Sequence, residues 1–224
     1  RPKVAILITG NELAQAGMPL KHGQIYESNA VMLQAALQSF GFADVEIVAV
    51  KDDFQSTKVQ LQNLLANCDV LLCSGGISVG DYDFVGSALR EIGVEEVFYK
   101  VLQKPGKPLF FGKKNDKIVF ALPGNPAAAL TCFYVYVVKA LSINMGKNPN
   151  GLPRTRKKLS APLYRKAGLA QFLKAQISGD EVEILEGQSS AMLHTFAQSN
   201  ALVYVPRQVE RIEKNEFVEC ILLK

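Results

Sequence analysis

The chain has 224 residues, 48% hydrophobic and 21% charged, a balance that excludes disordered and collagen-like classes and fits one large or two modest globular domains. Its 25 basic and 21 acidic residues leave a net charge of +4 that is spread along the chain and does not point to a nucleic-acid partner. The nearest approach to a membrane span, Ala127 to Ile143, is broken by Thr131, Lys139 and Ser142, short of roughly 18 to 20 uninterrupted apolar residues, and is expected to be a buried helix.

In chain order, Val4 to Thr9 is a continuous apolar strand. Ser28 to Phe40 carries Val31, Leu33, Ala36, Leu37 and Phe40 at helical spacing and is closed by Gly41. Val45 to Val50 is a second strand, Thr57 to Ala66 a helix with Leu61, Leu64 and Leu65 on one face, and Asp69 to Cys73 a third strand. A helix from Phe84 to Ile92, a strand from Val97 to Leu102, a hairpin at Lys113 to Asp116, a strand from Ile118 to Ala121 and a long helix from Pro126 to Met145 follow. Strands alternating with helices predict βαβ units, hence an α/β domain with a mainly parallel sheet flanked by helices. Gly146 to Pro153 then concentrates breakers, so residues 147–153 form an expected linker between an α/β domain at 1–146 and a small β-rich domain at 154–224. That second domain has short β runs at Phe172 to Ile177, Val182 to Leu185, Ala201 to Val205 and Phe217 to Leu223, with one helical stretch near Ser190 to Gln198. At about 70 residues its own core is marginal, and it is expected to lean on the first domain.

Arg1-Pro2-Lys3 runs straight into Val4 to Ile8, without the length or small-residue cleavage pattern of a secretory signal, so a cytoplasmic location is expected. A start at arginine is not a translation start and reads as a processed, truncated or partly ordered chain, with an upstream segment expected. Cys68, Cys73, Cys132 and Cys220 lie in apolar runs without CxxC spacing and are expected to be reduced core thiols. The basic run Arg154 to Lys158 has no interleaved aromatics and is expected to be the solvated start of a strand.

Three glycine- and proline-rich junctions adjoin buried strands: Gly75 to Asp83, Lys104 to Pro108, and Leu122 to Pro126. Loops converge where parallel strands end, and helix N-termini there present unpaired N–H groups to anions. Asn125 is placed to cap the long helix, and Pro126 at its first position loses only an N–H that would be unpaired anyway. Gly124 supplies a turn that a side chain would obstruct and leaves room for a ligand to approach the backbone. Gly75, Gly76, Ser78 and Gly80 are expected to contact a phosphate, with Asp81 and Asp83 near the start of the next helix, where a carboxylate would suit Mg²⁺ or simply the helix dipole. Glu12 and the Asp52-Asp53 pair follow other strands and reach the same sheet edge if those strands are parallel. Lys104 and Lys107 flank a Pro-Gly turn, with Lys100 expected on the same strand side as Lys104 by the two-residue period. Each junction alone also fits an ordinary helix cap, and the lysines alone fit a solvated surface.

The ordered set of motifs, Thr9-Gly10-Asn11-Glu12-Leu13, Gly23-Gln24-Ile25-Tyr26-Glu27-Ser28-Asn29, the three junctions, and Gly187-Gln188-Ser189-Ser190-Ala191-Met192-Leu193, resembles the C-terminal half of the MoeA family. These are the molybdopterin molybdotransferases, which include the E domain of gephyrin. The resemblance implies a MogA-like molybdopterin-binding domain followed by a small β domain. It implies molybdenum cofactor biosynthesis, with molybdate inserted into adenylylated molybdopterin, AMP released and Mg²⁺ assisting. By position it implies functional roles for Glu12, Asp52, Asp83, Lys100 and Lys104, metal binding by Glu12, Asp81 and Asp83, and pterin or phosphate contacts from Thr9, Gly75, Gly76, Ser78, Gly80, Lys107, Pro123, Gly124, Asn125 and Pro126.

Glu27 stands where the family usually has Asp. Gly168 to Phe172 lacks the arginines common there, so a contact that the family draws from its second domain is not implied here. The resemblance covers only the family's C-terminal half, so its elongated N-terminal subdomain, which resembles the family's main dimerisation element, is expected to lie outside this sequence. The resemblance implies a homodimer for the full-length protein, contact with a MogA-like adenylyltransferase and with apo-molybdoenzymes, and neither a nucleic-acid partner nor a membrane span. Alternatives are a MogA-like molybdopterin adenylyltransferase, whose glycine junction usually reads GGTG, a non-catalytic gephyrin-like scaffold domain, and a generic nucleotide- or phosphosugar-binding domain.

Overall fold

A computed structural model describes residues 1–77 and 84–223. The elements in order are β1 (Val4–Thr9), β2 (Leu13–Ala14), β3 (Ile25–Tyr26), α1 (Asn29–Ser39), β4 (Val45–Val50), α2 (Phe54–Asn67), β5 (Val70–Ser74) and α3 (Phe84–Glu91). Then come β6 (Glu95–Tyr99), β7 (Gln103–Lys104), β8 (Phe110–Lys114), β9 (Lys117–Leu122), α4 (Pro126–Cys132), a π-helical stretch (Phe133–Val137) and α5 (Val138–Asn144). The remainder is β10 (Arg154–Leu159), β11 (Leu163–Tyr164), β12 (Ala170–Ser178), β13 (Glu181–Ile184), α6 (His194–Gln198), β14 (Ala201–Val205), β15 (Arg211–Ile212) and β16 (Phe217–Leu222). They form two compact units, Arg1–Lys100 with Pro108–Leu130, and Val101–Lys107 with Thr131–Lys224.

The first unit is built on a six-stranded sheet in the order β4-β1-β5-β9-β8-β6. β4, β1, β5 and β9 are parallel, and β8 runs antiparallel to both β9 and β6. β1 and β5 are buried along their whole length, which is why their sequences are unbroken apolar runs rather than alternating ones. Leu7 and Leu71 of the sheet pack with Leu61, Leu64 and Leu65 of α2 and Val85, Ala88 and Leu89 of α3 in one core cluster. This is the mainly parallel sheet with flanking helices that the sequence predicts. The hairpin falls as expected between β8 and β9, where Lys114 pairs Lys117 and Asn115 adopts φ +53°.

Two local expectations fail. Val31 is 66% exposed, because α1 buries Asn29, Leu33, Ala36 and Leu37, a stripe at 3.6-residue spacing from which Val31 is turned away. The strand expected to run to Leu102 ends at Tyr99, and Lys100 takes the left-handed conformation, φ +63°. There Lys100 N donates to Leu109 O and Val101 N to Lys107 O, so the chain turns out of the sheet and the two-residue period does not carry Lys100 onto the side of Lys104.

In the second unit, the sheet order is β13-β10-β16-β14-β12-β7, and β13 also pairs with β12. Five strands thus close into a ring, which leaves few unpaired edges. Leu159, Ala175, Val182, Ala201, Val203, Val205, Val218 and Cys220 fill it.

All four cysteines are free and buried. Burial pushes the Cys68 and Cys220 thiols up to about 11 and Cys132 up to about 12, values at which they stay protonated and inert near neutrality. Among the described residues one helix, Pro126–Asn144, is long and apolar enough to cross a membrane, and 56% of its apolar window is buried inside the structure.

Candidate functional site

Because β4, β1, β5 and β9 are parallel, the segments that follow them emerge at one sheet edge: Lys51 to Asp53, Gly10 to Glu12, Gly75 with Gly76, and Pro123 to Asn125. The side chain of Asp52 crosses to the β1 loop. Thr9 Oγ1 donates to Asp52 Oδ1, Asn11 N donates to Asp52 Oδ2 at 3.1 Å, and Asp52 N donates to Asn11 Oδ1 at 3.1 Å. The neighbouring Asp53 does something different. It caps α2 by accepting from Ser56 N at 2.7 Å, and that bonding holds its carboxyl below the usual aspartate value. Glu12 is exposed on the β1 loop, with its carbonyl accepting from Ile25 N at 2.9 Å.

The glycines at this edge differ in what they permit. Gly75 has φ +87°, and a Cβ there would lie 2.0 Å from Thr9 O; a Cβ on Gly76, φ +59°, would lie 2.7 Å from Val85 Cγ2. Gly75 requires glycine because the chain after β5 presses against the end of β1, and Gly76 because its left-handed backbone brings it against Val85 of α3. Gly124 does not. Among the described residues a Cβ built there meets only Gly75 Cα within 4 Å, at 3.9 Å, so against the expectation none of them obstructs a side chain at this turn, and glycine leaves open space beside them. Pro123 is buried, Gly124 and Asn125 are exposed, and Asn125 O accepts from Ala129 N at 2.9 Å as the first carbonyl of α4.

Asn29 belongs to the same edge, although sequence reasoning included it only in a motif and gave it no role. Its Nδ2 donates to Ser74 Oγ at 2.8 Å and to Gly124 O at 2.7 Å, joining the start of α1 to the ends of β5 and β9. A short polar residue at a helix start was the available signal.

Lys100 is an exposed residue of the first unit, with Nζ 4.9 Å from the Tyr99 ring centroid. Lys104 and Lys107 are exposed in the second unit, on a turn with a cis Lys104-Pro105 bond and Gly106 at φ +90°. Buried Gln103 supports that turn from within, donating from Nε2 to Pro105 O at 3.1 Å and accepting at Oε1 from Tyr136 Oη. Ser78, Gly80, Asp81 and Asp83 lie outside the described residues. Among the described residues no group of three or more His, Cys, Asp or Glu is arranged to hold a metal ion.

In the Gly187 to Leu193 motif, the work is done by a residue outside it. The Lys174 ammonium, 3% exposed as a residue, donates to Gly187 O at 2.6 Å, Met192 O at 2.9 Å and Ser189 O at 3.3 Å. Gln188 completes the attachment, its Nε2 donating to Lys174 O at 2.8 Å and its Oε1 accepting from Lys174 N at 3.0 Å.

Residues 5–143 match the family described as probable molybdopterin binding domain, and residues 156–223 match the MoeA C-terminal region (domain IV). Over 221 residues the chain is 33% identical to molybdopterin molybdenumtransferase 2 of Mycobacterium tuberculosis, covering 95% of this chain and 54% of that protein. It is 34% identical over 224 residues to the molybdopterin molybdenumtransferase of Nostoc sp., covering 92% of this chain and 49% of the relative. The crystal structure of a molybdopterin biosynthesis MoeA protein from Pyrococcus horikosii aligns with a TM-score of 0.83 at 31% identity, covering 100% of this chain and 55% of that one. The chain thus spans about half the length of these relatives. A molybdopterin-binding domain followed by the MoeA C-terminal region, on a fold that over the whole of this chain matches part of a solved MoeA protein, shows that this chain belongs to the MoeA family.

Proposed function

We propose that the chain supplies the molybdopterin-binding and C-terminal parts of a molybdopterin molybdotransferase, which transfers molybdate to the dithiolene of adenylylated molybdopterin and releases AMP. The observation that carries the reading is the open space at Gly124, beside Gly75, on an edge where the four parallel strands end. A phosphate-bearing ligand suits such an edge, since backbone N–H groups and the start of a helix face it. Lys100, Lys104 and Lys107 are the proposed cations for molybdate and phosphate, and Thr9, Gly75, Gly76, Ser78, Gly80, Pro123, Gly124, Asn125 and Pro126 the proposed pterin or phosphate contacts. Bound Mg²⁺ would polarise phosphate oxygens, and the donors proposed for it are the carboxylates of Glu12, Asp52, Asp81 and Asp83. An all-oxygen donor set fits that ion, which usually takes one or two carboxylates and keeps several waters. Asp52 meets the need for a fixed carboxylate, being held by Thr9 and Asn11.

The proposed domains for these tasks are residues 1–146 and 154–224, joined by 147–153, in a cytoplasmic protein that dimerises at full length and meets a MogA-like adenylyltransferase and apo-molybdoenzymes. The test is calorimetric binding of molybdopterin and its adenylylated form to the chain and to Gly124→Val. The β-carbon of the valine has room at the turn and its remaining atoms would occupy the space assigned to ligand. Binding by the wild type that a folded Gly124→Val loses supports the reading. Equal binding by both removes the pterin from this turn, and AMP transfer from ATP to molybdopterin would favour an adenylyltransferase instead.

A further inference from the structure

Gln103 is 1% exposed, and both ends of its carboxamide are bonded within the second unit. Its Nε2 donates to Pro105 O at 3.1 Å and to Gly106 O at 3.4 Å, with Cys132 Sγ a further acceptor at 3.7 Å, and its Oε1 accepts from Tyr136 Oη. Carbonyls only accept, so the two turn oxygens fix which way the amide faces, and the phenol serves as donor. Burial pushes the Tyr136 phenol up to about 12, so it keeps that proton near neutrality. Tyr136 lies in the π-helical stretch Phe133–Val137, a rare geometry that is frequent at functional sites.

What this bonding does is felt on the other side of the turn. Gln103 and Lys104 are consecutive in β7, so a buried Gln103 side chain puts that of Lys104 on the outer face. Gly106–Lys107 is a trans peptide, in which the C=O of one residue and the N–H of the next point in opposite directions. Drawing Gly106 O inward to Gln103 therefore directs the Lys107 N–H outward, and among the described residues that N–H has no acceptor. Val101 N closes the turn by donating to Lys107 O at 2.9 Å. Exposed Lys104 and Lys107 are thus fixed on one short turn, where their ammonium groups repel each other until an anion offsets the charge.

We propose that Gln103, braced by Tyr136, is a positioning residue for oxyanion binding: it holds the turn so that the Lys107 N–H and the Lys104 and Lys107 ammonium groups act together on one tetrahedral oxyanion. This rests on the reading of those lysines as cations of the site. A turn fixed before the anion arrives binds it with less ordering cost.

The experiment titrates the full chain by calorimetry with molybdate and, in parallel, with inorganic phosphate at about pH 7, and the tighter of the two identifies the anion. Wild type, Gln103→Met, Gln103→Glu and Val203→Ala are compared, each with its thermal midpoint. Gln103→Met keeps a similar volume and removes every amide bond. Val203→Ala opens a cavity elsewhere in the core of the second unit and controls for lost stability. Gln103→Met should bind about tenfold more weakly, and Val203→Ala within about twofold of wild type. The carboxyl that Gln103→Glu introduces is buried and protonates readily, which gives an O–H donor to the turn carbonyls, so this variant should recover affinity relative to Gln103→Met. At saturating anion the Lys107 amide resonance should move in wild type and not in Gln103→Met. Binding by Gln103→Met within about twofold of wild type, a loss matched by Val203→Ala, no recovery in Gln103→Glu, or a Lys107 resonance that the anion leaves in place in wild type overturns the proposal. If wild type binds neither anion, the lysine reading fails and the proposal with it, whereas binding that Gln103→Met retains removes the positioning role alone. If Gln103→Met does not fold, Gln103→Glu decides the matter: at about pH 9 its carboxyl ionises and loses the O–H, and its affinity should fall about tenfold further than that of wild type, an unchanged ratio overturning the proposal.

Discussion

Asn11 and Asp52 exchange hydrogen bonds across the ends of two neighbouring parallel strands, each backbone N–H donating to the other's side chain at 3.1 Å. With Thr9 Oγ1 on its second oxygen, the Asp52 carboxylate accepts from two donors of the β1 end. An amide of the same shape has only one acceptor oxygen, so Asp52→Asn should leave one of the two donors facing an NH₂ group. We expect it to cost about 1 to 3 kcal/mol in urea denaturation, against less than about 0.5 kcal/mol for a merely solvated surface carboxylate. A cost at that lower level would show that Asp52 does not organise the loop.

Gly75 and Gly124 should separate stability from binding. A methyl at Gly75 meets Thr9 O at 2.0 Å in a backbone region that disfavours side chains, and both faults act together. Gly75→Ala should lose about 2 kcal/mol or more, whereas Gly124→Ala should remain within about 0.5 kcal/mol of wild type, because its methyl meets none of the described residues nearer than Gly75 Cα at 3.9 Å. Chemical denaturation of the two variants checks this, and equal losses would contradict the glycine geometry.

The sequence disclosed most where burial is continuous. β1 and β5 are legible because parallel strands covered on both faces must be apolar throughout, and once the sheet is known to be parallel the convergence of Glu12, Asp52, Gly75 and Pro123 on one edge follows. Lys100 was misplaced because its left-handed turn is imposed by pairing with Leu109 and the return of the chain at Lys107, not by its own residue type. Asn29 carries no local mark of its task, since its partners are 45 and 95 residues distant and meet it only after β5 and β9 pair. The distinction between Gly75 and Gly124 depends on which backbone atoms lie nearby, which composition does not encode.

Lys174 should be the residue on which the Gly187 to Met192 loop depends. Burial pulls its ammonium below the usual lysine value, and the compensation is bonding to three carbonyls with the Phe196 ring 5.8 Å away. Lys174→Met fills similar volume but takes the ammonium donor from Ser189 O and Met192 O, and leaves Gly187 O with Thr195 Oγ1 alone among these donors. It should cost about 1 to 3 kcal/mol and raise amide hydrogen exchange selectively over the loop. Protection in that loop equal to wild type would show that Gln188 and Thr195 secure it without the lysine.

Asp53 gives the pH dependence with a definite sign. Its folded-state carboxyl lies below the ordinary 3.8 because Ser56 bonds favour the charged form, so the unfolded chain takes up a proton first as pH falls. The stabilisation is therefore complete above the ordinary value and is lost as pH drops through the lower, folded one. Asp53→Ala should lower the thermal midpoint near neutrality by removing the cap, and the gap from wild type should narrow below pH 3.8 as the native aspartate is protonated. Asp53→Asn retains an acceptor for Ser56 N and should sit close to wild type near neutrality without this share of the acid sensitivity. Midpoints measured for the three proteins from about pH 7 to about pH 2.5 decide it, since a gap between wild type and Asp53→Ala that stays constant with pH would mean that charge has no part in capping α2.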